Sequence, residues 1–182
     1  YRDVNIAIAN ELYKICDIYG IDFSTMKELA KHQYCNILEP GVGVGGHCIP
    51  VYPWFVIKDF ESKKENDKIK LTKVAREIND NMVEYWAKKI MEKIKKIGKP
   101  NKKITICISG ITYRPDVKET FNSRCIVLID LLKKKGLNVF AYDPLYTKRE
   151  IEKIGIKYAK PEECDISFNP FRLTFTAKSN GG

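Results

Sequence analysis

Apolar side chains recur at helical spacing near the start of the chain. They fall three or four positions apart, at Val4, Ile8, Leu12, Ile15 and Tyr19. That spacing places them on one face of an α-helix, and Gly20 is the kind of residue that ends one. A shorter helix is predicted from a cap at Ser24 to about Lys31, because a serine side chain can accept a hydrogen bond from a free backbone amide of the first turn.

A much longer apolar stripe occupies the middle of the chain. It runs at helical spacing through Leu71, Val74, Ala75, Ile78, Met82, Tyr85, Ile90, Ile94 and Ile97. Gly98 and Pro100 mark its end. A helix this long has more apolar face than a small domain can cover, so we expect part of it to pack against a partner. Before it, residues 54–60 are predicted to be helical and residues 61–68 to form an exposed, charged linker.

From Lys103 the apolar spacing becomes alternating. Ile104, Ile106 and Ile108 alternate with Thr, Cys and Ser, which predicts a strand. A helical pattern around residues 128–132 closes at a glycine, residues 139–142 form a second predicted strand, and a short helix is expected at 150–154. Strand, helix and strand in this order predict one right-handed βαβ unit of a parallel sheet.

The predicted fold class is therefore α/β, with two domains. We expect a helical domain with a long connecting helix over residues 1–100, followed by an incomplete Rossmann-like parallel-sheet domain over residues 101–182. After Asp165 the chain reads SFNPFR (167–172) and then a polar end, without the pattern of a further apolar strand. We expect that strand to be missing and a sheet edge to be exposed unless another segment covers it.

Composition and charge exclude some classes of function. The 182 residues carry a formal net charge of +9, and 44% are hydrophobic. The lysines interleave with apolar residues at helical spacing, which favours solvated helix faces over a nucleic-acid surface. No zinc-finger or RNA-recognition signature is present. No run of about 20 apolar residues occurs, so no membrane span is predicted.

Six cysteines are scattered along the chain without a C-x-x-C pair, a pattern that fits a reducing cytoplasm. Cys16, Cys107 and Cys125 fall on apolar faces and are expected in the core. The sequence begins neither with methionine nor with a signal peptide, so we expect it to start inside a longer protein.

The strongest chemical signal is the segment PGVGVGGHCIPVYP at residues 40–53. Its glycines let backbone approach a ligand that a side chain would block, and its prolines are suited to opening a helix. Cys48 would then lie at the positive end of a helix dipole, which favours a reactive thiolate. The alternative is a plain turn with a buried, inert cysteine.

A metal site formed by His32, Cys35, His47 and Cys48 is a further alternative, since histidine and cysteine are good zinc ligands. It is disfavoured, because adjacent residues such as His47 and Cys48 rarely chelate one ion. For the same reason of geometry, neighbouring side chains usually point apart, and we do not assign His47 as a base for Cys48.

Three segments resemble the UDP-glucose/GDP-mannose dehydrogenase family, in the family's order. They are YRDVNIA at residues 1–7 with ANE at 9–11, the glycine–cysteine segment, and ITYRPDVK at 111–118. The likeness covers residues 1 to about 165 and points in particular to the branch that oxidises UDP-N-acetyl-D-mannosamine to its uronic acid for polysaccharide biosynthesis.

The resemblance implies a two-step oxidation with two NAD molecules, in which Cys48 holds the aldehyde as a thiohemiacetal and then a thioester. It implies that Gly43, Gly45 and Gly46 approach the sugar, that Arg114 contacts the UDP-sugar, and that Arg2 and Asn5 line the same cleft. It also implies a homodimer formed through the central helical domain, including the long helix.

The sequence departs from the family at positions that matter. Tyr52 stands where the family has an aspartate that assists proton transfer, and a phenol, with an ordinary pKa near 10, is a poor base at neutral pH. Phe121 and Asn122 replace an arginine and a glutamate before Ser123. The family's lysine and asparagine, and its N-terminal NAD domain, would precede Tyr1. We therefore expect the chain alone to be inactive, and a catalytically inactive dimerisation or UDP-sugar-binding remnant is the alternative.

Overall fold

The computed structural model describes residues 1–97 and 103–178. These residues divide into two compact units, the first ending at Met82 and the second beginning at Val83. The first unit is helical. Its elements are α1 (Arg2–Tyr19), α2 (Phe23–Leu29), α3 (Tyr52–Ser62), a 3₁₀ turn at Asn66–Ile69, and the first part of α4 (Lys70–Lys95), which continues into the second unit. No helix among the described residues combines the length and the apolar content needed to cross a bilayer.

The first predicted helix is confirmed as α1. It ends at Gly20, which adopts a left-handed conformation (φ 67°), and Ile21 donates its backbone amide to the Cys16 carbonyl at 2.8 Å. The cap of α2 is Asp22 rather than Ser24: its carboxylate accepts a hydrogen bond from the Thr25 amide at 2.7 Å. A carboxylate serves this position as well as a hydroxyl does, and it also faces the positive end of the helix.

The long apolar stripe is confirmed as one face of α4. Seven of its apolar side chains are buried: Ala75, Met82, Val83, Trp86, Ala87, Ile90 and Ile94. Leu71 and Val74, near its start, remain exposed. The predicted stop at Gly98 and Pro100 lies outside the described residues, and the domain boundary at 100/101 stays a prediction.

The second unit contains a five-stranded sheet. Its elements are β1 (Thr105–Ser109), α5 (Arg124–Lys134), β2 (Asn138–Tyr142), α6 (Lys148–Lys153), β3 (Lys157–Tyr158), β4 (Ile166–Asn169) and β5 (Thr174–Ala177), in the order β3-β2-β1-β4-β5. β1, β2, β3 and β4 run parallel. The predicted βαβ unit and the α/β class are thus confirmed, with α5 as the crossover helix.

The expectation that the sheet lacks a further strand after Asp165 was wrong. β4 pairs in parallel with β1, and β5 turns back to pair antiparallel with β4, so that β5 becomes the edge strand. Phe168 makes this possible, because its fully buried ring stacks on Trp86 with centroids 4.9 Å apart. The Asn169 side chain closes the turn by accepting bonds from the Phe171 and Arg172 amides at 3.0 and 3.1 Å.

Candidate active site

The glycine loop, residues 41–46, connects α2 to α3, and valines alternate with glycines along it. Val42 and Val44 are buried, at 4% and 6% exposure, Gly41, Gly43 and Gly45 beside them are half-buried, and Gly46 is buried. Gly43 (φ 126°) and Gly46 (φ 86°) adopt conformations that other residues rarely reach. The glycines therefore serve two ends: they permit the chain path, and they leave a stretch of backbone without side chains beside Cys48.

Cys48 is exposed and lies just before α3. Its carbonyl accepts hydrogen bonds from the backbone amides of Val51 at 3.1 Å and Tyr52 at 2.9 Å, so a tight turn leads directly from the cysteine into the helix. Pro53 lies in the first turn of α3, as predicted. Four other cysteines, Cys16, Cys107, Cys125 and Cys164, are buried, and Cys35 is exposed. A buried Cys48 is thus ruled out.

A buried polar network lies under this loop. The Arg76 guanidinium donates to Asp3 Oδ1 at 2.6 Å and to Asp80 Oδ1 at 2.9 Å. Asn79 Nδ2 donates to the same Asp3 oxygen at 2.8 Å and to the Asp3 carbonyl at 2.9 Å. Burial raises the pKa of Asp3, and the positive charge of Arg76 and the Asn79 hydrogen bond act against that rise. The network joins α1 to α4.

Two further bonds connect this network to the loop. Asn10 donates to Asn79 Oδ1 at 2.9 Å, and its own Oδ1 accepts the backbone amide of Gly41 at 2.9 Å. Arg76 Nη1 also reaches the carbonyl of Ile49 at 3.4 Å. The residues on either side of the glycine–cysteine stretch are therefore tied to α1 and α4.

The other predicted site residues fall in both units. Arg2, which is exposed, and Asn5, which is half-buried, lie in the first turns of α1 on either side of Asp3. Arg114 belongs to the second unit, in the loop after β1, where it is exposed and its guanidinium lies 5.6 Å from the Tyr113 ring centroid. Asp3, which lies between Arg2 and Asn5 in the sequence, is the residue of this turn that bonds Arg76, and Arg114 lies on a separate loop.

The loop after β1 begins at Gly110, a tightly packed position. Gly110 has φ 136°, and a Cβ there would lie 2.5 Å from Cε2 of Phe171, so that only glycine fits. Asp143, at the end of β2, is buried and accepts the amides of Ile111 and Leu145, each at 2.9 Å. Its carboxylate is therefore occupied in holding two turns together.

Metal ligands do not gather in the part of the chain that is described: no three His, Cys, Asp or Glu side chains are grouped so as to hold an ion. His32 and Cys35 are joined through their backbones, by the Cys35 amide and the His32 carbonyl at 2.9 Å. The His32 ring instead packs against Tyr34, with centroids 5.4 Å apart.

Comparison with known proteins decides the relationship. Residues 1–81 match the central domain of the UDP-glucose/GDP-mannose dehydrogenase family, and residues 107–168 match the UDP binding domain of the same family. The chain belongs to the UDP-glucose/GDP-mannose dehydrogenase family. The two matches follow the two compact units, and together they contain every residue that the sequence singled out for the site.

Relatives within the family carry related names. A UDP-N-acetyl-D-mannosamine dehydrogenase of Methanocaldococcus jannaschii is 44% identical over 145 residues, which are 79% of this chain and 31% of the relative. The same enzyme of Methanococcus maripaludis is 41% identical over 145 residues, covering 79% of this chain and 32% of the relative. The solved UDP-D-ManNAc dehydrogenase of Pyrococcus horikoshii superposes with a TM-score of 0.77 at 28% identity, covering 93% of this chain and 39% of that one. The chain spans about a third of the length of the curated relatives that it matches.

Two residues of the network were missed by sequence reasoning. Arg76 and Asn79 were not singled out, although both fall within the apolar stripe of α4 and both are fully buried. A charged residue and an amide among buried positions of a helix are the signal that marks such a network, because buried polar groups need partners. Asp3 and Asn10 stood inside the family motif, but nothing in the motif assigned them this role.

Proposed function

We propose that the chain is the substrate-side portion of an NAD-dependent UDP-sugar 6-dehydrogenase that oxidises UDP-N-acetyl-D-mannosamine to the uronic acid. The observation that carries the proposal is Cys48: an exposed thiol at the end of a glycine loop, in the turn that leads into α3. The resemblance to the family gives this position to the nucleophile. The names of the relatives support the choice of sugar. Free cysteines fit a reducing compartment, and we propose the cytoplasm.

The thiol supplies covalent capture. Addition of Sγ to the aldehyde carbon at C6 forms a carbon–sulfur bond, and the proton of the thiol passes to the aldehyde oxygen, which gives a thiohemiacetal. Oxidation of that adduct yields a thioester, and water then releases the acid and returns the thiol. Covalent capture retains a reactive aldehyde between two oxidations. The side-chain-free backbone at Gly43, Gly45 and Gly46 leaves room for the sugar beside the sulfur.

Recognition of the nucleotide belongs to the second unit in this proposal. Its match to a UDP binding domain supports a UDP-sugar, and Arg114 offers an exposed guanidinium suited to a diphosphate. Arg2 and Asn5 are proposed to contact the sugar from α1, because Asp3 between them is bonded to the same arginine that reaches Ile49.

NAD supplies hydride acceptance in such an oxidation, but the described residues do not form a site for it. The glycine loop follows no strand, whereas a dinucleotide cradle joins a strand to a helix. The turn after β1 has one glycine, Gly110, and the Phe171 ring fills the space beside it. No residue of this chain is assigned a role in the hydride transfer of either oxidation. We propose that the cofactor is held outside the described residues.

Assembly as a homodimer through the first unit is proposed from its surface. The outer face of α1 exposes four large apolar side chains at helical spacing, Ile8, Ile15, Ile18 and Tyr19. Such a contiguous apolar face is typical of an interface. Light scattering should give twice the monomer mass, and Ile18→Lys should return the chain to a monomer; a monomeric parent chain would contradict this part of the proposal.

The experiment that tests the function is a chimera. The corresponding third of the M. jannaschii relative is replaced by this chain, and NADH formation from UDP-N-acetyl-D-mannosamine is followed by absorbance. We expect NADH from the chimera, none from the 182-residue chain alone, and no uronic acid from the Cys48→Ser chimera. A folded chimera that binds UDP but forms no NADH would overturn the proposal and favour the inactive, UDP-sugar-binding remnant. The departure at Tyr52 makes that remnant the second candidate.

A further inference from the structure

The glycine–cysteine loop is attached to buried side chains at both ends. At the first end, the Gly41 amide donates to Asn10 Oδ1 at 2.9 Å. At the other, the carbonyl of Ile49, the residue that follows Cys48, accepts from Arg76 Nη1 at 3.4 Å. Both bonds use backbone atoms of the loop, so they fix the path of the chain whatever the side chains between them do.

A single hydrogen-bonded path joins the two attachment points. From Gly41 it passes through Asn10 to Asn79 at 2.9 Å, from Asn79 to Asp3 at 2.8 Å, and from Asp3 to Arg76 at 2.6 Å. Arg76 then reaches Ile49. Asn10, Arg76 and Asn79 are fully buried, and Asp3 is 4% exposed. Water competes little for these bonds, and each group would cost stability if it lost its partner.

Stability alone does not account for such a network. Well-packed apolar side chains of similar size often stabilise a core as well as a buried ion pair does, or better. What apolar side chains cannot do is fix a peptide N–H and a peptide C=O at chosen points. Here Arg76 Nη1 bonds both Asp3 and the loop, which makes the position of Ile49 depend on the ion pair.

We propose that Asn10 and Arg76 are positioning residues for Cys48, acting through the backbone at Gly41 and Ile49. Their importance for catalysis rests on the proposed function, in which Cys48 is the nucleophile. The positioning itself does not, because it concerns only where the loop holds the sulfur. In this view the glycines make the loop backbone easier to deform, and the network supplies the rigidity that the glycines remove.

The mobility of a nitroxide spin label attached to Cys48, measured by electron paramagnetic resonance, reports how firmly the loop holds this residue. The label is placed in a Cys35→Ser chain, since Cys35 is the other exposed cysteine and the remaining four are buried. A chain that also carries Cys48→Ser should take up no label, which assigns the signal. Asn10→Leu removes both hydrogen bonds of the Asn10 side chain, to Asn79 and to Gly41, without leaving an unpaired charge. Arg76→Met removes the guanidinium. Arg76→Lys keeps a charged donor in place of Nη1, the atom that bonds both Asp3 and Ile49.

We expect Asn10→Leu and Arg76→Met to raise the ratio of mobile to immobile label by roughly fivefold, the effect of one lost buried hydrogen bond on a two-state equilibrium. Arg76→Lys should restore much of the immobile component. Phe23→Leu, a core substitution in α2 outside the network, is the matched control: it should lower the urea midpoint and leave the spectrum unchanged.

Two results would overturn the proposal. One is a parent-like spectrum in folded Asn10→Leu chain. The other is a Phe23→Leu spectrum as mobile as that of Asn10→Leu, which would mean that the network contributes stability and nothing more. The spectra need no substrate, so failure here leaves the proposed oxidation untouched, and a chimera without activity leaves the spectra equally informative.

Discussion

Arg76 and Asp3 form an ion pair with 2.6 Å between Nη1 and Oδ1, and the arginine side chain is entirely removed from solvent. Other ion pairs among the described residues are exposed and of small energetic consequence, such as Lys63–Asp59 at 2.7 Å. The Arg76–Asp3 pair differs because loss of Arg76 leaves the Asp3 carboxylate buried without its arginine partner, with only the Asn79 amide still bonded to it.

Removal of Arg76 should therefore be costly. We expect Arg76→Met to lower the free energy of unfolding of the first unit by about 3–5 kcal/mol, the range for a broken buried pair. Lys63→Ala, which removes an exposed pair, should lower it by less than about 1 kcal/mol. Urea denaturation followed by circular dichroism measures both. A loss at Arg76 no larger than that at Lys63 would contradict the buried geometry.

The rate of alkylation should separate the six cysteines into two groups, exposed and buried. We expect Cys35 and Cys48 to be alkylated rapidly in the folded chain and the four buried cysteines only as the chain opens. Burial raises the pKa of Cys125 to about 12, and a hydrogen bond with Cys164, together with burial, raises the pKa of Cys107. Both therefore remain thiols at neutral pH, and the thiolate is the form that reacts.

Mass spectrometry after timed exposure to iodoacetamide, with and without urea, measures the difference. The unfolded chain is the control, in which all six cysteines should react at comparable rates. Labelling of Cys107 or Cys125 as fast as Cys35 under folding conditions would mean that the second unit is not packed as described.

The sequence was sufficient to predict much of the helical unit and two of the five strands of the sheet. Periodicity located α1, α4, β1 and β2, because each contains several apolar residues at one regular spacing. It failed at β4, where a four-residue strand ends at Asn169 and the pairing partner, β1, lies about sixty residues earlier. Short strands are fixed by tertiary pairing more than by their own composition.

At the candidate site, the sequence pointed to Cys48, the proposed nucleophile, but not to the residues that hold its loop. Cys48 stands out because glycines and prolines surround it. The Asn10–Asn79–Asp3–Arg76 path joins residues of α1 and α4 that are far apart in the chain, and no local pattern connects them. Such a network becomes visible only when two helices are packed together.

The C-terminal hairpin should be essential to the second unit. Phe168 is fully buried and contacts both Trp86 and Phe175, with ring centroids 4.9 Å apart in each case. We expect Phe168→Ala to cost about 3–5 kcal/mol of unfolding free energy. Phe121→Ala, at a residue that is 49% exposed, should cost under about 0.5 kcal/mol and is the control. An equal loss of unfolding free energy in the two variants would contradict the burial of Phe168 in β4.

Glu150 should make the second unit sensitive to acid. Its pKa is lowered from 4.5 to about 2, chiefly by the hydrogen bond from Lys118 at 2.6 Å and then by the bonds from Thr147. A lowered pKa in the folded state means that the stabilisation is complete above about pH 4.5 and is lost as the pH falls toward 2.

The difference in unfolding free energy between the parent chain and Glu150→Gln should therefore shrink as the pH falls through that window. Lys118→Met, which removes the ammonium that bonds Glu150, is the matched control: in that background the Glu150→Gln difference should change less with pH. Urea denaturation at intervals between pH 2 and pH 6 measures it. A Glu150→Gln difference that does not change with pH would mean that the Lys118 and Thr147 bonds do not favour the ionised carboxylate.

Tyr52 offers the most direct test of why this chain departs from its family. Its ring is 60% exposed and stacks on Phe55 with centroids 6.1 Å apart, in the first turn of the helix that Cys48 precedes. If the family's aspartate at this position moves protons for the thiol and for water, Tyr52→Asp in the chimera should raise NADH formation by about 10²–10⁴-fold, the usual contribution of a general acid or base. Tyr52→Asn is the control, since asparagine has the same shape and cannot exchange a proton at neutral pH. Equal rates for the two variants would show that the missing carboxylate is not what limits this chain.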